Sequence, residues 1–286
     1  MFKKMLVFML VIMAASSAMA GDMETKVYGK LHTSLNMAND GDQSALTLSS
    51  NTSRFGVKGG IELNENFTAI FQFENSLNMT SRGGELAGRN TFLGVKGAFG
   101  TLLAGRHDTP FKTLGRKVTF FKDTAGDFRT MTVGYDQRLS DVLVYATPKN
   151  DMWGGQLAYQ LDQNDWQMED SESATAFTAM AYVTPMEGDL FIGAGFETWS
   201  KGYFNEMIAD DDESVTSTSA FRGAAKWHGE KFAVSGLFQS VSDWYTVAGV
   251  DATTFGLEAL FKAAEKWHFK GNFYNTTIKV EGEEED

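Results

Sequence analysis

The sequence predicts an all-β protein, a transmembrane up-and-down antiparallel β-barrel, and three observations carry this prediction. Apolar and polar residues alternate with a period of two along most of the chain, which indicates strands rather than helices. Short linkers alternate with long polar loops, as at the two unlike ends of a membrane barrel. Aromatic residues make up 13% of the chain, and several tryptophans and tyrosines lie near the predicted strand ends, which is typical of interfacial girdles.

Residues 1–20 are predicted to be a secretory signal peptide. Lys3 and Lys4 give it a basic start, an apolar run follows, and a small-x-small cleavage pattern ends at Ala20. The apolar run is shorter than the roughly 20 residues that a membrane-spanning helix needs. We therefore expect export, cleavage after Ala20, and a mature barrel domain over residues 21–286.

Thirteen strands are predicted from the alternating segments. In "TTFGLEALFK", for example, Phe255, Leu257 and Phe261 share one face, whereas Glu258 and Lys262 share the other. A bacterial up-and-down barrel closes with an even number of strands, so we expect about three further strands to be missing from this chain. A miscounted pair of strands and a naturally smaller barrel are the alternatives. The predicted strands span residues 25–38, 45–62, 67–79, 88–97, 101–106, 138–147, 153–162, 175–184, 189–199, 217–228, 231–241, 253–262 and 267–276.

The two faces of these strands are predicted to be arranged inside out. A soluble barrel buries its apolar face, but about a dozen strands enclose more space than side chains alone can fill. We therefore expect the apolar faces to contact lipid and the polar faces to surround water. We also expect the strands to close into a barrel, because closure gives every backbone amide a hydrogen-bond partner on a neighbouring strand. In "SRFGVKG", residues 53–59, Phe55 and Val57 would face lipid, while Arg54 and Lys58 would line the pore.

The longest linker without clear strands spans residues 107–137. Loops of this length are usually functional or disordered, and this one is too apolar for a solvated coil. We expect it to fold into the lumen and pack against the wall, which would place Asp123 and Asp127 across from wall arginines. Its apolar character comes from Phe111, Phe120, Phe121 and Phe128.

Five stretches of the chain, in order, carry a resemblance to a known family. They are "KVYGKLHTSL" (26–35), "SRFGVKG" (53–59), "GRNTFLGVKGAFGTLLAGRHDTPF" (88–111), "DTAGD" (123–127) and "YDQRLSDVLVYATP" (135–148). Together they resemble a general diffusion porin of Gram-negative outer membranes, over nearly the whole mature chain. The resemblance implies a sixteen-stranded barrel, a homotrimer, and a third loop folded inward as a constriction. The chain departs from the family pattern at its end, where "NTTIKVEGEEED" stands instead of a strand with a terminal aromatic residue.

The resemblance also implies a charged constriction, in which wall arginines face carboxylates on the loop. Charged rings in a narrow pore set ion preference. For any one arginine an ordinary lumen-facing salt bridge is the alternative, and for Lys58 this alternative is favoured. Neither anion nor cation preference is predicted, because arginines exceed carboxylates at the waist whereas the whole chain has a net charge of −12. The matching positions are Arg54, Arg89, Arg106 and Arg138, the last in competition with Arg129, against Asp123 and Asp127.

Several function classes are disfavoured by the composition. The acidic balance leaves no basic face for nucleic acid, and no catalytic motif is present among four histidines. His107 adjoins Asp108, but neighbouring strand residues point to opposite faces. No catalytic residue, cofactor or metal site is predicted. The tract "ADDDES" (209–214) is interpreted as a solvated loop, with divalent-cation binding as the alternative.

The leading hypothesis is an outer-membrane porin for passive diffusion of ions and small hydrophilic solutes, with outer-membrane lipid and lipopolysaccharide as its surroundings. A substrate-specific channel is one alternative. A plugged structural or adhesive surface barrel is another, and it is suggested by the long acidic loops 162–174 and 200–216.

Overall fold

The structure, a computed structural model, describes residues 23–39, 43–80, 86–133, 136–161, 174–201, 216–244 and 247–281. The predicted signal peptide and the tract 209–214 lie outside these residues. The described chain is an all-β protein, as predicted. Its first eight strands are β1 (Met23–Lys30), β2 (Thr33–Asn39), β3 (Ser44–Ser50), β4 (Arg54–Asn64), β5 (Phe67–Leu77), β6 (Leu86–Gly88), β7 (Thr91–Gly97) and β8 (Gly100–Asp108). The others are β9 (Arg138–Ala146), β10 (Trp153–Gln160), β11 (Ala176–Val183), β12 (Leu190–Trp199), β13 (Thr218–His228), β14 (Phe232–Ser242), β15 (Val250–Ala264) and β16 (Trp267–Val280).

Three of the thirteen predicted strands are interrupted in the structure. The first is divided into β1 and β2, the second into β3 and β4, and the fourth into β6 and β7. The break between β3 and β4 contains Thr52, whose φ of 51° lies in the left-handed region. Beyond these breaks β2 and β3 pair with each other as a separate two-stranded sheet. Across the break between β3 and β4 the alternation changes phase, because the exposed apolar residues move from the even positions Leu46 and Leu48 to the odd position Phe55.

The main sheet is an antiparallel up-and-down meander. Its strand order is β1-β4-β5-β7-β8-β9-β10-β11-β12-β13-β14-β15-β16, and β6 pairs with β5. Tight turns join β4 to β5, β7 to β8 and β15 to β16, as the short linkers predicted. β1 and β16 are the terminal strands of this order. The long linkers predicted for the opposite end contain residues 162–173 and 202–215, which lie outside the described residues.

Apolar side chains cover the outside of this sheet, and polar side chains line its inside. On β15, Phe255 and Leu257 are 48% and 50% exposed, whereas Thr254 and Glu258 on the other face are 0% and 4% exposed. A water-soluble barrel would show the opposite pattern. An apolar outer band around a polar interior is the surface of a transmembrane β-barrel, as the sequence predicted.

The linker between β8 and β9 folds into the interior, as predicted for residues 107–137. It contains a helix, α1 (Pro110–Val118), and a 3₁₀ turn, Phe128–Thr130. Phe111, Leu114 and Phe128 are completely buried, and α1 packs on β11, β12 and β13. The sequence did not predict this helix. In the described ranges, no helix is both long enough and apolar enough to cross a membrane.

Candidate pore constriction

The four predicted wall arginines lie on one side of the barrel interior. Arg54 begins β4, Arg89 follows β6, Arg106 is near the end of β8, and Arg138 begins β9. β4 and β6 both pair with β5, and β8 pairs with β7 and β9. The strand order therefore brings arginines that are up to 84 residues apart in sequence to the same side of the sheet. Arg138, which competed with Arg129 for the last wall position, is a strand residue, whereas Arg129 belongs to the inner loop.

Glu74 on β5 is the carboxylate that joins two of these arginines. Arg89 Nε donates to Glu74 Oε1 at 2.6 Å, and Arg54 Nε lies 3.6 Å from Glu74 Oε2. The hydroxyl of Tyr28 on β1 donates to the same Oε2 at 2.9 Å. Neither Glu74 nor Tyr28 was predicted as a site residue, although their inward position follows from the alternation of β5 and β1.

The other two wall arginines have different partners. Arg138 forms an ion pair with Asp108 at 2.9 Å and donates from Nε to Asn90 at 2.6 Å. Lys112 of α1 reaches the same Asp108 oxygen at 3.0 Å. Within the described part of the chain, Arg106 donates to two neutral oxygens, Ser140 Oγ at 2.7 Å and the Gly88 carbonyl at 3.4 Å.

The predicted loop carboxylates, Asp123 and Asp127, form ion pairs at the inner end of the loop. Asp123 contacts Arg116 at 2.9 Å, Arg129 at 3.1 Å and Lys30 of β1 at 3.3 Å. Asp127 accepts from Arg129 through both Nε and Nη2, each at 2.8 Å. The cationic partners of the loop carboxylates in the described chain are therefore Lys30 and the loop's own arginines, rather than the four wall arginines.

The ion pairs change the acidity of both loop carboxylates. Burial alone would raise the pKa of Asp123, but the hydrogen bond and the charge of Arg116 outweigh burial and lower this pKa below its usual value. Burial would also raise the pKa of Asp127, but the hydrogen bond and the charge of Arg129 outweigh burial and lower this pKa. Hydrogen bonds to Asp127 in turn raise the pKa of Arg129. Both carboxylates are consequently ionised throughout the neutral range.

The start of the loop is fixed by α1. Thr109 caps the helix by accepting from Lys112 N at 3.1 Å, and Pro110 occupies the first turn, where a missing N–H costs no bond. Gly115 lies against Phe128: a Cβ at position 115 would be 2.3 Å from Phe128 Cζ. The absence of a side chain at Gly115 therefore lets the helix and the later part of the loop pack closely together.

The start and the end of the loop are fastened to the wall by Arg222 of β13. This side chain is completely buried and donates to Asp136 from Nη1 at 2.7 Å and from Nη2 at 2.9 Å. It also donates to the Phe111 carbonyl at 3.0 Å and lies 4.0 Å from the Phe111 ring centroid. One wall residue thus holds both ends of the inner loop.

The far part of the loop is held by β15 and β16. Glu258 accepts from the Thr119 hydroxyl at 2.8 Å, from Phe120 N at 2.5 Å and from Tyr274 at 2.7 Å. Lys270 donates to the Phe120 carbonyl at 2.7 Å, and Asn272 to the Gly126 carbonyl at 2.7 Å. The loop therefore crosses the interior from its root at β8 and β9 to the side formed by β15, β16 and β1.

The described residues contain no group of three or more His, Cys, Asp or Glu side chains that could hold a metal ion. The tract 209–214 lies outside them. His107 Nδ1 is 2.7 Å from the main-chain carbonyl oxygen of Asp108, and its ring meets Phe92 edge-on. Asp108 directs its carboxylate to Lys112 and Arg138 instead. This arrangement is not a His–carboxylate pair of the kind used in hydrolysis.

Three solved structures share this architecture, with sequence identities that show the fold alone. An anion-selective porin from Comamonas acidovorans has a TM-score of 0.71 and 16% identity, over 90% of this chain and 80% of that chain. OmpF of Salmonella typhi, in complex with daunomycin, has a TM-score of 0.65 and 14% identity, over 88% and 78%. The outer membrane channel DcaP of Acinetobacter baumannii has a TM-score of 0.64 and 13% identity, over 91% and 80%.

An inside-out antiparallel sheet with a charged loop in its interior is the architecture of an outer-membrane channel, and the family comparison agrees. Residues 7–286 match the model of the Gram-negative porin family. The chain therefore belongs to the Gram-negative porin family, as its sequence resemblance predicted. No match is found among the curated proteins.

Proposed function

We propose that the protein is a general diffusion porin, through which ions and small hydrophilic solutes cross the outer membrane passively. The observation that carries this proposal is the charged loop inside the barrel. It brings Asp123 and Arg129 into the interior, while Arg54, Arg89 and Arg138 line the wall beside it. A water-filled passage between two charged surfaces admits polar solutes, which keep their hydration or exchange it for contacts with charged groups. An apolar solute would instead displace water from those charged groups, and the removal of that water is costly.

The constriction in this proposal is formed by two sets of residues. The wall set and the loop set are both fixed by hydrogen bonds to strands, so that the width of the passage is set by the fold. Ion pairs hold the side chains of both sets: Glu74 and Asp108 pair with arginines of the wall set, and Lys30, Arg116 and Arg129 pair with the carboxylates of the loop set. The proposed constriction residues are Arg54, Arg89, Arg106 and Arg138 of the wall, and Asp123 and Asp127 of the loop.

The surroundings of the channel form part of the same proposal. The precursor is exported, cleaved after Ala20 and inserted into the outer membrane of a Gram-negative bacterium as a homotrimer. Lipid and lipopolysaccharide contact its apolar outer band, for which Val27 and Phe273, exposed by 76% and 63%, are examples. The protein acts without a cofactor and catalyses no reaction.

Planar-bilayer recording tests the proposal. Purified full-length protein that shifts mobility on heating, as a folded barrel does, should give stepwise conductance that is linear with voltage. Liposomes containing the protein should swell in small sugars at rates that fall with sugar size. Saturable block by a single solute would indicate a substrate-specific channel instead. Folded protein without conductance or swelling would refute the proposal and favour a plugged surface barrel.

A further inference from the structure

The charges that line the wall of the interior are predominantly positive. We define the wall cluster as the charged residues that form ion pairs with one another on the side of β4 to β9, together with Arg106 of β8. It contains two carboxylates, Glu74 and Asp108, and the five cations Arg54, Arg89, Arg106, Lys112 and Arg138. Arg138 lies within electrostatic range of both Arg89 and Arg106. The cations therefore act as one patch whose charge the two carboxylates only partly neutralise.

Arg106 is the cation of this cluster whose charge is least compensated. Among the described residues its hydrogen-bond partners are the Ser140 hydroxyl and the Gly88 carbonyl, which carry no net charge. A guanidinium has five N–H donors in a planar fork that suits carboxylates and phosphates. Arg106 therefore keeps donors and a full positive charge available to an anion in the passage.

The residues on the loop side of the passage also carry a positive net charge. Asp123 and Asp127 are surrounded by Lys30, Arg116 and Arg129, which are all within ion-pair distance of one or both. Lys122, next to Asp123, is exposed and adds a further cation. The carboxylates on this side are thus outnumbered, and the two surfaces do not cancel each other.

The acidic net charge of the chain comes from other segments. Residues 162–173, 202–215 and 282–286 contain five, five and four acidic residues, respectively, and no Lys or Arg. These fourteen carboxylates exceed the whole chain's net charge of −12. The net charge of the whole chain therefore includes fourteen carboxylates that lie outside the described residues.

From these observations we infer that the channel prefers anions, and that Arg106 is a specificity-determining residue which draws small anions such as chloride, carboxylates and phosphate past the wall cluster. This inference rests on the proposed diffusion function. Surplus arginine and lysine in a narrow pore favour anions. Charges outside the constriction act more weakly at physiological ionic strength, since screening limits their reach to about 8 Å.

The reversal potential across a bilayer with a KCl gradient tests the inference. The reversal potential of the wild-type protein should lie toward the equilibrium potential of chloride, which corresponds to a chloride-to-potassium permeability ratio above one. Arg106→Ala should shift it toward potassium, and Arg106→Lys, which keeps the charge, should restore most of the chloride preference. Lys149→Ala is the control, because Lys149 is an exposed residue between β9 and β10.

Three outcomes are decisive. Chloride preference that falls in Arg106→Ala but not in Lys149→Ala supports the inference. A cation-preferring wild type, or equal reversal potentials in wild type and Arg106→Ala, overturns the inference while the diffusion function stands. Folded wild-type protein without conductance overturns the diffusion function itself. If Arg106→Ala does not fold, Arg106→Gln replaces it, because an amide keeps a polar partner for Ser140 without the charge.

Discussion

Arg222 on β13 and Asp136 at the end of the inner loop form a buried bidentate ion pair, with N–O distances of 2.7 and 2.9 Å. The two residues are 86 positions apart, and the Arg222 side chain is fully inaccessible to solvent. Paired guanidinium and carboxylate groups of this geometry are strong and directional. The pair fastens the inner loop, so it connects the stability of the fold with the size of the proposed passage.

Replacement of Asp136 by Asn should loosen the loop. It leaves the Arg222 charge buried with only neutral partners, which typically costs about 3–5 kcal/mol. We expect a lower free energy of unfolding in urea and noisier, larger single-channel conductance, since the loop leaves the wall more often. Asp151→Asn removes the same charge from an exposed turn residue and should change neither quantity. An Asp136→Asn protein with wild-type stability and conductance would contradict the fastening role.

Gly115→Ala should displace part of the loop by steric contact alone. The new Cβ would lie 2.3 Å from Phe128 Cζ and 2.9 Å from Arg222 Nη1, so either the ring or the helix must move. Overpacking of this kind costs about 1–3 kcal/mol. We expect a lower unfolding temperature and an altered conductance. Gly271→Ala on β16, where a Cβ meets nothing within 4 Å, is the matched control; equal effects of the two substitutions would argue against this packing.

Glu258→Gln should weaken the attachment of the far part of the loop. The carboxylate accepts three hydrogen bonds, from Thr119, Phe120 and Tyr274, whereas an amide offers one oxygen and turns its NH₂ toward donors. A buried donor left unsatisfied costs about 1–3 kcal/mol. Hydrogen exchange of the Phe120 amide should become faster, and the control Glu265→Gln, an exposed turn residue, should leave it unchanged. Unchanged exchange in Glu258→Gln would remove Glu258 from the attachment.

The ion pair between Asp127 and Arg129 should stabilise the protein down to acidic pH. The pKa of Asp127 is lower in the folded protein than in the unfolded chain, where it is about 3.9. The stabilisation is therefore fully present above that pH and is lost as the pH falls through the lower folded value. The difference in free energy of unfolding between wild type and Asp127→Asn should be constant from pH 7 to about pH 5 and then shrink. A difference that disappears between pH 7 and pH 5 would contradict this assignment.

The strands were predictable because each inside-out strand repeats the same period-two pattern. β13 and β14, for example, begin and end within one residue of the predicted spans. The interruption near Thr52 coincides with a change of phase in the alternation, from Leu46 and Leu48 to Phe55, which the single strand predicted over residues 45–62 overlooked. The helix α1 was also missed: it is only nine residues long, and its signals were the cap Thr109 followed by Pro110.

The residues proposed for the constriction could be named from the sequence, whereas their partners could not. The wall arginines and the loop carboxylates were proposed from the resemblance, but the partners Glu74, Arg222 and Glu258 depend on strand order and register. Thr119 and Glu258, for instance, are 139 residues apart and meet only because the loop crosses the interior to β15. Such contacts depend on tertiary packing, which local patterns do not encode.

The central claim, that charged residues surround water while apolar residues face lipid, is tested most directly at two neighbouring positions. The chain has no cysteine, so a single introduced thiol is unique. Arg54 contacts Glu74 in the interior, and Phe55 points to the opposite face of β4, where it is 41% exposed. In lipid bilayers a membrane-impermeant, thiol-specific reagent should label Arg54→Cys and reduce its conductance, and should leave Phe55→Cys unlabelled. Labelling of Phe55→Cys together with a protected Arg54→Cys would contradict the account.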